Sequence, residues 1–286
     1  MVLESILNPF AIKKKPWEMF FAGLLFSFVS LFVAYFVFKD GAGLLTVFLI
    51  VLCTVPILYT TIKNEEELDL KINQEWVLLK EHTKVLLFLM FLFLGITTAL
   101  VLAYLILPDH ITSVSFALQN QAIAHVNQNV QVTGNITGSI TRFGLFGNIF
   151  FNNLKVLFFC LIFSLLYGTG AMFILTWNAS VIATAMGSVI KTHVAQTIGS
   201  SSASVFGAYV GAASFSVMRY MTHGLLEVAA YFIAGLAGGI ISIALIKHNL
   251  NEERVLIDAL DLIMISIGIL FVAGVVEVYV TPALFA

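Results

Sequence analysis

Charge is scarce in this sequence: Asp, Glu, Lys and Arg make up 10% of 286 residues, against about 25% in an ordinary soluble domain. The formal net charge is only −2. A nucleic-acid partner requires a basic patch to neutralise phosphates, so that class is excluded. Cysteine is nearly absent. Cys53 and Cys160 lie in different apolar runs, with neither metal-ligand spacing nor the density of a disulfide scaffold. They read as small buried apolar side chains. Catalytic signatures are missing as well. There is no Gly-x-Ser-x-Gly elbow, no Gly-rich phosphate loop followed by Lys, and no carboxylate pair on one helix suited to Mg²⁺. His223-Gly-Leu-Leu-Glu227 has one His where the helical zinc motif needs two. The sequence therefore leads us to expect no enzyme activity, no cofactor and no metal.

What the chain has is hydrophobic length. Apolar residues make up 60% of it, more than one soluble core can hide, so lipid must be the solvent for most of it. Runs at 17–38, 41–62, 84–107, 154–176 and 222–246 meet the ~20-residue spanning criterion, and 257–282 nearly does. Lys13, Lys14 and Lys15 precede the first run, but 17–38 exceeds a signal-peptide core and no small-residue cleavage site follows it. An uncleaved membrane helix is expected there.

Basic residues set the orientation. Lys13 to Lys15 and the Lys-bearing segment 63–84 belong in the cytoplasm, as do Lys247 and Arg254. That parity requires region 178–220, weaker and interrupted by Lys191, His193 and Gln196, to cross once. The expected fold is an all-α polytopic transmembrane bundle of six to seven segments, one of them irregular. It would sit in the cell membrane with its N-terminus cytoplasmic and its C-terminus outside. Residues 1–107 form an N-terminal helical unit, 108–150 an extracytoplasmic polar loop, and 151–286 a C-terminal bundle. Within 64–83, Leu68, Ile72, Trp76 and Leu79 make one helical stripe opposed by acidic and basic residues, an amphipathic helix on the cytoplasmic membrane surface or packed beneath the bundle. Asn135-Ile136-Thr137 in the outer loop is a glycosylation sequon.

Ionisable groups at membrane depth are costly and so mark candidate sites. Arg219, His223 and Glu227 are spaced four apart, one helix face, and a cation one turn from Glu227 would lower its cost. In antiparallel helices, Glu227 and Glu277 fall at similar depth, close to Asn152 and Asn153. A polar cluster of Asn152, Asn153, Arg219, His223, Glu227 and Glu277 is expected, serving as interhelical hydrogen bonding, a proton or ion path, or a lipid or ligand site. Gly207-x-x-x-Gly211 and Gly235-x-x-x-Gly239 are close-packing motifs, expected to pack helices within the chain; the motif leaves a homo-oligomer open.

The order of these features resembles the stage II sporulation protein M family, in particular its archaeal-type branch. The resemblance rests on Asn152-Asn153, an apolar helix with Gly168 and Gly170, a tryptophan before Asn178, His223-Gly-x-x-Glu227, and Glu277 followed by Thr281-Pro282. It covers roughly 143–283. Ala179 departs from it, since the family pattern has glycine after that asparagine. The resemblance implies a membrane anchor that localises and assembles cell-wall hydrolases in spore-forming bacteria, without enzyme activity of its own. It makes Asn152, Asn153, His223, Glu227 and Glu277 characteristic intramembrane positions. The leading expectation is a non-enzymatic scaffold with membrane lipids and envelope proteins as partners. The alternative is a transporter or channel for a small solute, ion or lipid.

Overall fold

The computed structural model describes residues 15–39, 41–71, 75–124, 142–167, 169–200, 204–246 and 253–285. Among them there is helix and connecting turn but no strand. The long helices are α1 (Glu18–Phe38), α2 (Ala42–Lys71) and α3 (Glu75–Ile106), then, after the short α4 (Asp109–Ser115), α5 (Arg142–Tyr167), α6 (Ala171–Ser200), α7 (Val205–Ile246) and α8 (Glu253–Val275). A π turn at Val276–Val280 carries α8 into a last short helix, α9 (Thr281–Leu284). In hydrocarbon every backbone N–H and C=O must find its partner within the segment, which is why the apolar runs are helices. Seven of the described helices are long and apolar enough to cross a bilayer. The chain is an all-α, multi-pass membrane protein.

Its first three spans and its last match the apolar runs closely. Between α1 and α2 the chain reverses through Lys39 at φ 37° and Gly41 at φ 80°, both in the left-handed region that suits so tight a turn.

The irregular crossing expected over 178–220 is replaced by two regular helices. α5 ends at Tyr167, α6 begins at Ala171, and α7 runs unbroken for 42 residues. The apolar run 154–176 hides this turn because Thr169 and its glycine neighbours barely interrupt hydrophobicity. A Cβ on Gly170 would strike the Phe163 carbonyl, so the fold-back depends on its absence. Segment 108–150 is not a loop throughout: Asp109–Ser115 and 117–124 are helical, and α5 already starts at Arg142. The sequon lies outside the described residues. The surface helix expected over 64–83 is instead the continuation of α2 to Lys71 and the start of α3 at Glu75. Its stripe Leu68, Ile72, Trp76 and Leu79 lies outside the described side chains, as do Lys13, Lys14, Lys247 and Arg254.

The second half of α7 is the hub. Ala230, Ala234, Ala237 and Ile240 are all 0% exposed, and α5, α6 and α8 surround them. Gly238 lets α5 come close: a Cβ there would stand 2.6 Å from the Leu161 carbonyl oxygen. Ser164 uses that proximity to donate to the Gly235 carbonyl at 2.6 Å. A smaller core of Ile190, Val194, Ala208 and Ala212, joined by Val101 and Leu105, binds the far ends of α6 and α7 to the last turns of α3. Lys191 closes that end, donating to Asp109 Oδ1 at 3.0 Å with its ammonium 5.1 Å from the Tyr104 ring.

Candidate functional site

The polar residues gather where α5, α7 and the α8 terminus meet. α5 and α7 run parallel: Asn153 touches Glu227, and further along both helices Ser164 touches Gly235. Asn153 Nδ2 donates to Glu227 Oε1 at 2.5 Å. The Glu277 carboxyl, carried by the π turn, is a close neighbour of Glu227. His223 Nδ1 lies 3.2 Å from Thr281 Oγ1, the imidazole tautomer deciding which group donates. Tyr231, one turn beyond Glu227, is buried beside the pair.

Local sequence explains the convergence. The spacing of four between His223 and Glu227 puts both on one face of α7. Glu277 reaches them from the π turn, whose wider ring is closed by Thr281 N–H bonding back to the Val276 carbonyl. π turns inserted in α-helices often re-aim a functional side chain. Phe146 and Phe150 of α5 wall the site toward α8, their ring centroids 5.3 Å and 5.9 Å from Phe271. Phe146 also packs on Gly274, where a Cβ would sit 3.1 Å from its ring edge.

Of the six residues expected to cluster, the structure brings Asn153, Glu227 and Glu277 together, with His223 one turn before Glu227 and joined to Thr281. Asn152 is exposed, turned away from the site, since adjacent helical residues diverge by 100°. Arg219 is also exposed, its guanidinium 6.0 Å from the Phe215 ring. It stands two turns from Glu227, about 12 Å along the helix. The expectation that Arg219 or His223 partners Glu227 is therefore replaced by an amide from α5 and a second carboxyl. Expected as a packing motif, Gly235 and Gly239 are buried, with a Gly235 Cβ position 2.8 Å from Ala171, though the tightest backbone approach belongs to Gly238. Gly207 and Gly211 do not pack as expected. Nothing described lies within 4 Å of a Gly211 Cβ, and a Gly207 Cβ would meet only Ser204 Oγ. With His193, Thr197 and Phe215 these two line an open groove of about 310 Å³.

Sequence reasoning missed Thr281 as a partner because it read only as a helix-end marker. It missed Ser164 and Gly238 because a lone serine or glycine in an apolar run carries no direction. Among the described residues, no three His, Cys, Asp or Glu side chains converge as metal ligands would.

No curated protein and no solved structure matches the chain. The sequence pattern described as Stage II sporulation protein M matches residues 84–282. That stretch runs from α3 to α9, contains every residue of the polar cluster, and exceeds half of the chain. With the family pattern laid over this bundle, the protein belongs to the stage II sporulation protein M family.

Proposed function

We propose that this protein is a non-enzymatic scaffold of the cell membrane that holds other integral envelope proteins. The supporting observation is α7. At ~1.5 Å per residue its 42 residues extend about 63 Å, roughly twice the hydrocarbon thickness. Its second half is the core of the bundle. Its first half leaves Phe206 79%, Val210 48% and Met218 60% exposed beside the open Gly207–Gly211 face. A helix rooted in the core and bare along one face of its other half suits a docking arm. In this reading Lys13 to Lys15 hold the N-terminus in the cytoplasm. Seven crossings then put the C-terminus, the polar cluster and the bare half of α7 toward the outside. A photo-crosslinking amino acid at Phe206 in native membranes should yield a discrete protein adduct. The same group at Phe36, 70% exposed on α1, should yield none. Identical adducts at both positions, or none at Phe206, would contradict the scaffold.

A second reading is favoured by one observation, the Asn153–Glu227 hydrogen bond with the Glu277 carboxyl beside it inside the spans. Carboxyl groups in that setting serve ion and proton pathways in transporters. Purified protein in liposomes would then show ion flux that Glu227→Gln abolishes; equal background flux in both removes the transport reading.

A further inference from the structure

The groove beside the first half of α7 carries charge at one end. Its walls are His193 and Thr197 of α6 and Gly207, Gly211 and Phe215 of α7, around a volume of about 310 Å³. Phe215 is pinned from two sides. Its ring centroid lies 5.2 Å from that of His193 and 5.9 Å from that of Phe285. The exposed Arg219 guanidinium lies 6.0 Å from the same ring, within the range of a cation–π contact. A fixed ring thus draws the cation to the end of the groove.

Gly207, Gly211, Phe215 and Arg219 are spaced four apart, one ridge of α7 inclined to its axis. From Gly211 to Arg219 is about 12 Å along the helix. A second helix that uses the two bare glycines to come close must therefore also pass Arg219. Its arrival strips water from the guanidinium. At the same end of the bundle Lys191 is answered by Asp109, Nζ to Oδ1 at 3.0 Å. Arg219 meets no carboxylate among the described residues. An uncharged helix would cover the cation and leave it unpaired, which is strongly unfavourable. A second copy of this chain fares no better. About a two-fold axis the same residues face each other, so both Arg219 cations fall on one side of the crossing. A carboxylate on the incoming helix instead makes a charge-assisted hydrogen bond.

We infer that the partner enters this groove with an α-helix bearing an Asp or Glu within about two turns of its closest approach, and that Arg219 selects it. The inference rests on the scaffold reading and names the chemistry of what the scaffold holds. Selection works mainly by rejection: helices without the acid bury an unpaired guanidinium.

The test uses the full chain in native membranes, with a photo-crosslinking amino acid at Met218. Seven residues from Gly211, that exposed position shares its face of α7. Arg219→Lys keeps the charge and should keep the protein adduct. Arg219→Glu should lower its yield at least about tenfold, while the unfolding midpoint in detergent stays at the parent value. Arg219→Gln, which reverses no charge, should lose most of the adduct too. Peptide mapping of the parent's adduct should place an Asp or Glu within about two turns of the attachment point. Parental yield from Arg219→Glu, or a mapped helix with no acid there, overturns the inference and leaves the scaffold reading standing. So does an adduct made only with lipid or with a second copy of the chain. No protein adduct from the parent at either Met218 or Phe206 overturns both.

Discussion

α7 carries the same five-residue glycine spacing twice, and the two copies lead opposite lives. Around Gly235–Gly239 the helix is buried, with Ala171 against Gly235 and the α5 backbone against Gly238. Around Gly207–Gly211 the glycine face is open and its neighbours Phe206 and Val210 are exposed. The spacing permits close approach but does not say which backbone approaches. What decides is the geometry of the rest of the chain: α5 runs parallel to the second half of α7, while at the first half α6 and α3 meet it through Ala208 and Ala212 instead.

That contrast is most sharply tested at Gly238. Gly238→Ala puts a methyl against the Leu161 carbonyl, backbone that cannot swing aside. It should destabilise the bundle by ~1–3 kcal/mol, the usual cost of overpacking, read as a lower unfolding midpoint in detergent. Asn153→Leu comes next. It removes the amide donor to Glu227 and leaves the acceptor facing an apolar side chain, costing about 1–3 kcal/mol by the same measurement. An Asn152→Leu control on the exposed face should change little. The smallest effect is expected at Gly211→Ala. With open space around its Cβ, the change should be neutral or stabilise by up to ~1 kcal/mol, the helix-propensity gain of alanine over glycine. If Gly211→Ala and Gly238→Ala shift the midpoint alike, the two halves of α7 are not different in kind.

The spans were legible where apolar runs have polar ends. Expected boundaries of 17–38 and 41–62 stand beside α1 at Glu18–Phe38 and α2 starting at Ala42. They were illegible around 142–220 for two physical reasons. Asn152, Asn153 and Lys155 depress hydropathy inside α5 although they are helical, and the turn at Thr169–Gly170 does not depress it although it ends a helix. Lys191 and His193 looked like an interruption of the membrane helix. They lie instead on the far turns of α6, Lys191 bonded to Asp109 and His193 against Phe215. In the polar cluster, depth reasoning brought Glu227, Glu277 and Asn153 to one level. It could not separate Asn153 from Asn152, because that distinction needs the rotation of α5, which hydropathy does not encode. Thr281 and the π turn that aims Glu277 depend on a local hydrogen-bond shift with no compositional mark.

The proposed scaffold role requires that α7 is buried in its own bundle along one half and offers a partner the Gly207–Gly211 face of the other. Gly211→Trp tests it most directly, by filling the open groove from a position with nothing described within 4 Å of its Cβ. In native membranes, chemically cross-linked companions recovered with the parent chain should be lost from the Gly211→Trp protein, while its unfolding midpoint stays at the parent value. Companions retained at parental yield, or a midpoint that falls as it does for Gly238→Ala, would contradict the account.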